Sequence, residues 1–225
     1  MKVDRKLQTR LLRIGGHLVA LIPLTLLLLD WQTANFSPDP VREITLRTGK
    51  AAILLLLASL AVTPLKLILG WNQLHPLRRI LGLYAFAYVV LHLLTFVWLD
   101  YGLSWPLISE AIVEKRYALV GLAAFLILLP LALTSTQGMM KRLGKRWTSL
   151  HRWVYLAGIL AVLHYVLLVK QAYTQPLFLA LILALLLTAR LPAVRRRIVS
   201  WRRELKSRTV RGSAGKIEPI DDAGM

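Results

Sequence analysis

Long apolar runs separated by short polar segments dominate the hydrophobic pattern of this 225-residue chain. A helix needs roughly 20 mostly apolar residues to cross a bilayer core of about 30 Å, and six runs come near that length. The pattern therefore predicts an all-α polytopic membrane protein with a bundle of six transmembrane helices. The predicted spans are residues 11–30, 50–70, 79–99, 117–136, 151–170 and 175–192.

Composition supports a membrane protein and bears on its partners. Hydrophobic residues make up 56% of the chain, more than an ordinary soluble domain contains. The formal charge is +18, but the cations form short clusters between apolar runs instead of lining one polar face. This distribution favours anionic lipid head groups as neighbours and argues against a nucleic-acid partner.

Most of the positive charge lies in alternate segments of the chain. Of the 29 Lys and Arg residues, 23 lie in the N-terminus, the 66–79 and 137–152 segments and the tail from Arg190. By the positive-inside rule, these segments and both termini are predicted to be cytoplasmic. The other six, assigned to outer segments, are Arg42, Arg47, Lys50, Lys115, Arg116 and Lys170.

The same patterns divide the chain into three parts. Residues 1–10 are predicted to be a cytoplasmic N-terminus, and residues 11–192 form the six-helix transmembrane domain. Residues 193–225 are predicted to be a basic cytoplasmic tail. We expect this tail to begin along the membrane surface, attracted by anionic lipid, and to end in a polar, disordered stretch.

Two histidines at one membrane depth are the main candidates for chemistry. The chain has no cysteine, which excludes thiolate metal sites and leaves imidazole as the main soft ligand. His92 lies 13 residues beyond Arg79 and His164 lies 13 beyond His151, about 20 Å along helices that both run outward. Facing neutral imidazoles suit six-coordinate haem iron. We therefore predict that His92 and His164 are axial ligands of an outer haem.

Two further histidines are predicted near the inner face. His151 is a candidate for an inner haem or another redox site, and His17 lies at the same level on the first span. A lone histidine can also hold a bundle together by hydrogen bonding, so a structural role stays open for each. Thirteen residues at about 100° each turn about 220°, so an ideal helix does not aim His151 and His164 in one direction. A bend near Gly158 would reconcile them.

Three stretches resemble a known family. RRILGLYAFAYVVLH, TSTQGMMKRLGKRW and LHRWVYLAGILAVLHY are similar to the ferric-reductase and NADPH-oxidase type transmembrane domain. More closely, they resemble the haem-binding membrane subunits of bacterial periplasmic methionine sulfoxide reductase systems. The resemblance implies a cytochrome b-like bundle in the bacterial inner membrane, one or two haem b groups and flavin mononucleotide. It also implies a periplasmic molybdenum-containing reductase as partner, which repairs oxidised proteins and carries out the sulfoxide reduction itself.

The chain departs from the wider superfamily in two ways. That superfamily carries two histidines on each of helices three and five, and here Arg78 replaces the first histidine of helix three. An inner haem would then pair His151 with a substitute such as His17, or a different cofactor would take its place. No Gly-rich dinucleotide turn follows a strand, so electrons are expected from quinol or from a separate cytosolic flavin reductase.

Two other classes of function stay open from the residues alone. A transporter would use its intramembrane histidines for proton or metal passage. A structural assembly subunit would bind its partner without any redox change. Both predict a colourless protein, whereas a cytochrome b has the absorption spectrum of haem.

Overall fold

The computed structural model describes the backbone of residues 5–169 and 173–214, and the side chains in those ranges except at 203 and 205–214. Lys170 and the end of the predicted tail, from residue 215, lie outside the described residues. All regular structure within these ranges is helical, as the all-α prediction requires. The α-helices are α1 (Arg5–Gln32), α2 (Pro40–Leu69), α3 (His75–Leu94), α4 (Trp105–Glu114), α5 (Arg116–Leu133), α6 (Gln137–Leu143), α7 (Lys145–Leu150), α8 (Val154–Leu168), α9 (Thr174–Thr188) and α10 (Pro192–Ala214).

Five helical segments are long and apolar enough to cross a membrane. They are α1, α2, α5, the Asn72–Asp100 segment built on α3, and the Lys145–Leu168 segment that contains α7 and α8. The sixth predicted span differs from the prediction, because α9 has only 15 residues and is about 22 Å long. Pro192 disfavours helical backbone at the residue before it, and the chain bends by 76° between α9 and α10. A sixth span exists only if this bent pair is counted as one.

Helix α2 is the central helix of the bundle. Half of its apolar stretch is buried, compared with less than a fifth in each of the other four long segments. Residues 51–62 are apolar at every position but Ser59, the pattern of a helix surrounded by others. One buried cluster joins α2 to α1, α3, α5 and α8, and a second joins it to α8 and α9. The helices that carry functional candidates are therefore fixed against α2.

Tyr88 of α3 anchors α1 at its internal proline. The Tyr88 hydroxyl donates a hydrogen bond to the Ala20 carbonyl (2.9 Å) and accepts one from the Leu24 amide (3.0 Å). In a regular helix these two backbone groups bond to each other. Pro23 lies between them and disturbs the hydrogen-bond ladder. A side chain from a neighbouring helix thus satisfies backbone groups that a bilayer would leave unpaired.

The irregular point in the fifth predicted span is a 3-10 turn and not a bend at Gly158. Helix α8 runs through Gly158 without interruption, and the 3-10 turn His151–Trp153 comes immediately before it. Gly158 serves close packing instead. A Cβ there would contact Leu183 of α9 at 3.4 Å and Leu60 of α2 at 3.6 Å. The small residue brings α8 close to both helices.

The two ends of the bundle differ in charge. The basic end carries the start of α1, the connection from α2 to α3, and helices α6, α7 and α10. There Gln73 donates a hydrogen bond to Gln8 at 3.1 Å, which joins that connection to α1. The opposite end carries the α1–α2 connection and α4. Arg47 of α2 forms ion pairs there with Asp30 of α1 and with Glu43.

Helix α10 covers the predicted tail as far as Ala214. Pro192 is a favoured first-turn residue, and the Arg, Leu, Glu and Lys residues that follow are good helix formers. The helix returns to the C-terminus of α2, where the Arg202 guanidinium lies against Gly70. Gly70 has φ 72°, and a Cβ at this position would collide with Arg202. The left-handed backbone favours glycine at this position.

Candidate functional site

The structure brings His92 and His164 together toward the end of the bundle that lies opposite the basic end. His92 lies on α3 and His164 on α8, and both side chains are half-buried. Their ring centroids are 6.0 Å apart, and the ring planes are inclined at 85°. The two residues that the sequence places at one depth are therefore direct neighbours.

Each ring of this pair is oriented by a backbone carbonyl on another helix. His92 Nδ1 lies 2.9 Å from the Thr45 carbonyl of α2, and His164 Nδ1 lies 2.6 Å from the Tyr117 carbonyl of α5. Because a carbonyl only accepts hydrogen bonds, each Nδ1 carries the proton and donates it. The lone pair is then on Nε2, which has no hydrogen-bond partner among the described residues. This is the arrangement of a metal-ligating histidine, whose second nitrogen is held by a carbonyl.

The ring spacing fits two imidazoles on a single metal. A metal–nitrogen bond of about 2.0–2.1 Å, with about 1.1 Å more to the ring centre, places two opposed centroids about 6.3 Å apart. The observed value is 6.0 Å. Within the described part of the chain, no cluster of three or more His, Cys, Asp or Glu side chains is present that could hold an ion. A haem brings four porphyrin nitrogens of its own and needs only two axial ligands from the protein, which two histidines can supply.

Polar contacts fix the backbone on either side of the pair. Thr95 Oγ1 donates to the His92 carbonyl at 2.8 Å and lies 3.2 Å from Thr45 Oγ1. Thr95 begins a π-helical turn that extends to Asp100, a form that often marks functional sites. On the α5 side, Lys115 donates to the Tyr101 hydroxyl, and this hydrogen bond raises the pKa of Lys115. The start of α5, which supplies the Tyr117 carbonyl, is thereby tied to the segment after the π-helical turn.

His151 is engaged in local contacts near the basic end. Its ring stacks on Trp147, with centroids 3.9 Å apart. Nδ1 lies 3.1 Å from the Trp147 carbonyl and Nε2 lies 3.4 Å from Ser135 Oγ. No second histidine ring contacts it among the described residues. An inner haem held by His151 together with His17, one of the alternatives from the sequence, stays a prediction.

His17 is exposed and belongs to a different contact. Its Nδ1 lies 3.1 Å from the Tyr84 hydroxyl of α3, and the two rings meet edge to face with centroids 5.6 Å apart. His17 thus joins α1 to α3, and its role at an inner redox site stays a prediction. His75 is exposed at the start of α3.

Two half-buried arginines near the basic end have no carboxylate partner among the described residues. Arg190 donates through Nη1 to the Tyr155 hydroxyl (2.8 Å) and through Nη2 to the Leu60 carbonyl (2.6 Å). Its Nε is buried and has no partner in the described part of the chain. Arg78, whose carbonyl accepts a hydrogen bond from Ser59 Oγ at 2.7 Å, is close enough to Arg190 for electrostatic repulsion. Unbalanced positive charge with an unused donor suits an anionic ligand.

Sequence similarity extends over most of the chain. The sequence model of the ferric reductase-like transmembrane component family matches residues 48–162, about half of the chain. The heme-binding subunit MsrQ of a protein-methionine-sulfoxide reductase from Rhodospirillum rubrum is 48% identical over 195 residues, 84% of this chain and 91% of that protein. The protein of the same name from Xanthomonas campestris pv. campestris is 46% identical over 179 residues, 76% of this chain and 81% of that protein. The chain belongs to the MsrQ family.

Membership of the MsrQ family, together with the ferric reductase-like domain, places the chain among membrane redox subunits. It confirms the resemblance read from the three sequence stretches above. A further MsrQ relative from Xanthomonas oryzae pv. oryzae is 45% identical over 177 residues, 76% of this chain and 81% of that protein. No solved structure matches the chain significantly.

Several residues of this MsrQ site were not predicted from the sequence. The carbonyls of Thr45 and Tyr117 give no sequence signal, since every residue has one. Gly49 and Gly121, which lie against the two rings, did carry a signal: each is a glycine inside an apolar helix where Ala is the better helix former. Arg190 was counted only as a cation of the tail.

Proposed function

We propose that this MsrQ family member is a haem b electron-transfer subunit of a bacterial methionine sulfoxide reductase system. The observation that carries the proposal is the His92–His164 pair, with centroids 6.0 Å apart and each Nδ1 committed to a carbonyl. The relatives named as heme-binding subunits support the choice of cofactor. Haem supplies a one-electron couple when it is bound between the two rings.

The chain's own residues would hold the haem and adjust its reduction potential. His92 and His164 would bind through Nε2, while the Thr45 and Tyr117 carbonyls keep each ring in the correct tautomer and orientation. The leucines, valines and alanines of the surrounding helices exclude water and lower the local dielectric. We assign the sulfoxide reduction itself to a separate partner, because the relatives are named as the heme-binding subunits of the reductase.

The proposed direction of electron flow is from the cytoplasm outward. The positive-inside rule assigns the basic end and both termini to the cytoplasm of a bacterial inner membrane. The His92–His164 pair then lies near the periplasmic face, where a soluble MsrP-like, molybdenum-containing reductase would accept the electrons. The names of the relatives support a methionine sulfoxide reductase partner.

A flavin mononucleotide at the basic end is the second part of the proposal. Arg78 and Arg190 fit a phosphate group, because they are half-buried, lack a carboxylate and leave the Arg190 Nε without a partner. His151 lies near Arg78 and would serve this inner redox site, with an inner haem held by His151 as the alternative. Quinol in the membrane or a cytosolic flavin reductase would deliver electrons here.

Absorption spectra of the purified protein test the haem assignment. We expect a low-spin b-type spectrum that sharpens on reduction with dithionite and is lost or converted to a five-coordinate form in His92→Ala and His164→Ala. His75→Ala, at an exposed position, is the matched control and should keep the native spectrum. A colourless native protein would favour a transporter or an assembly subunit, and an unchanged spectrum in both ligand variants would place the haem elsewhere.

A further inference from the structure

Each ring of the His92–His164 pair lies directly on a glycine of a neighbouring helix. A Cβ added at Gly49 of α2 would lie 3.1 Å from both Nδ1 and Cε1 of His92. A Cβ added at Gly121 of α5 would lie 2.7 Å from Nδ1 and 2.9 Å from Cε1 of His164. These distances are shorter than carbon contacts in a packed interior, so even one methyl group would displace either ring.

The two glycines have the same relation to the carbonyls that hold the rings. Gly49 follows Thr45 by four residues, and Gly121 follows Tyr117 by four residues. In an α-helix the carbonyl of residue i points toward residue i+4, and the Cβ of residue i+4 is tilted back toward the N-terminus. A side chain at i+4 therefore covers the approach to that carbonyl. Glycine leaves the second lone pair of the carbonyl open to a donor from another helix.

We propose that Gly49 and Gly121 are positioning residues of the haem site. Each exposes the carbonyl one turn before it, so that an imidazole from the facing helix reaches it and presents Nε2 to the iron. The inference rests on the proposed ligation by His92 and His164. The arrangement occurs twice, once between α2 and α3 and once between α5 and α8, and in both cases the glycine begins a Gly-x-Ala-Ala stretch, GKAA in α2 and GLAA in α5.

The other glycines within apolar helices do not have this relation to a histidine. A Cβ at Gly158 would meet only leucine side chains at 3.4 Å or more, and a Cβ at Gly82 would meet the Ser59 hydroxyl at 3.3 Å. Gly158 lies on α8, the helix that carries His164. Gly158→Ala is therefore a control in the same helix, with the same added methyl group and no contact with either ring.

Loss of the hydrogen bond between a histidine ring and its carbonyl should shift the reduction potential of the haem in a direction that can be measured. An Nδ1–H that donates to a carbonyl makes the imidazole a stronger electron donor, which favours ferric iron and lowers the reduction potential. A ring pushed off its carbonyl donates less. We expect Gly121→Ala to weaken haem binding by roughly 10- to 100-fold and to raise the midpoint potential of the haem that remains. Gly49→Ala should change haem binding and the midpoint potential in the same directions but by less. A Cβ at Gly49 would lie 3.1 Å from its ring, whereas a Cβ at Gly121 would lie 2.7 Å from its ring.

The experiment compares the native protein with Gly49→Ala, Gly121→Ala and Gly158→Ala, each purified as the full chain in detergent. Haem per chain and the midpoint potential are measured by absorption during redox titration. The inference is supported if haem content falls and the midpoint potential rises in Gly121→Ala and, to a smaller extent, in Gly49→Ala, while Gly158→Ala keeps the native haem content and potential. If Gly121→Ala does not accumulate in membranes, Gly49→Ala decides alone, because its milder contact permits folding.

His92→Ala and His164→Ala in the same series separate the two proposals. Loss of haem in both histidine variants, with native haem content and potential in both glycine variants, would overturn the positioning role and leave the ligation standing. Native low-spin haem in both histidine variants would overturn the ligation itself. Equal changes in haem content and potential in Gly158→Ala and Gly121→Ala would mean that the glycines serve only helix packing, and would also overturn the inference.

Discussion

The ring of His92 stands nearly perpendicular to the ring of His164, with an angle of 85° between their planes. Two different helices set this angle, because each ring is fixed by its own carbonyl contact, with Thr45 of α2 or with Tyr117 of α5. The angle is therefore a property of how four helices pack. It also has a spectroscopic consequence that does not depend on the partner protein.

Perpendicular axial imidazoles predict a highly anisotropic ferric signal. With crossed ring planes the two iron π-type d orbitals stay nearly equal in energy, which gives a low-spin spectrum with one very large g value. Low-temperature electron paramagnetic resonance of the oxidised protein measures this directly. A conventional rhombic spectrum with three resolved g values, seen in both the native protein and His75→Ala, would mean that the rings are nearly parallel on the iron.

Removal of the Tyr88 hydroxyl is predicted to destabilise the bundle. Tyr88→Phe leaves the Ala20 carbonyl and the Leu24 amide without their partner, and an unsatisfied buried group costs about 1–3 kcal/mol. Tyr84→Phe is the matched control, because the Tyr84 hydroxyl contacts the exposed His17. Thermal unfolding in detergent should show a clear loss of stability for Tyr88→Phe alone. Equal thermal unfolding midpoints for the two variants would mean that the Tyr88 hydroxyl does not stabilise the bundle through the Ala20 and Leu24 backbone groups.

The paired arginines at the basic end are predicted to hold a flavin phosphate. Arg190→Gln and Arg78→Gln should each weaken flavin mononucleotide binding by on the order of tenfold, because each removes a charge-assisted contact. Haem content should stay native, since both residues lie at the other end of the bundle from the His92–His164 pair. Arg142→Gln, at an exposed position of α6, is the control. Native flavin content in both variants would place the flavin elsewhere.

Membrane orientation is predicted from the cation distribution. Topology reporters inserted after residues 40, 110 and 173 should read periplasmic, and reporters after residues 73, 143 and 215 should read cytoplasmic. The reporter after residue 173 also tests whether α9 and α10 together make a sixth crossing. If it reads periplasmic while the reporter after 215 reads cytoplasmic, the bent pair spans the membrane. An inverted pattern would place the His92–His164 pair on the cytoplasmic side.

The helical architecture and the His92–His164 contact were predictable for a simple reason. Apolar run length reports membrane spans directly, and equal spacing from two cytoplasmic landmarks gives equal depth on two parallel helices. The sixth span was less predictable, because hydropathy counts residues and does not register the bend at Pro192. A bend or local unwinding near Gly158 was one way to aim His151 and His164 alike, but α8 is regular through Gly158 and the 3-10 turn His151–Trp153 comes before it. Helix type at a junction depends on contacts such as the Trp147–His151 stack.

The residues that orient the histidines were beyond sequence reasoning. Thr45 and Tyr117 act through their backbones, and only the packing of α2 and α5 shows which carbonyl each ring reaches. The partners of His17 and His151 were also hidden, because both lie on other helices or turns. Depth along a helix is readable from sequence, whereas the direction in which a side chain points depends on helix rotation in the folded bundle.

The most direct test of the central claim is the reoxidation of the reduced haem by the periplasmic partner. Reduced protein in detergent is mixed in a stopped-flow spectrometer with an oxidised MsrP-like reductase, with and without methionine sulfoxide, and the haem bands are followed. We expect the bands to reoxidise to completion only when both partner and sulfoxide are present, and we expect His92→Ala and His164→Ala to support no electron transfer to the partner. Electron transfer to the partner would be contradicted if the native haem stayed reduced in the presence of partner and sulfoxide. The route through the histidine pair would be contradicted if both ligand variants supported sulfoxide reduction at the native rate.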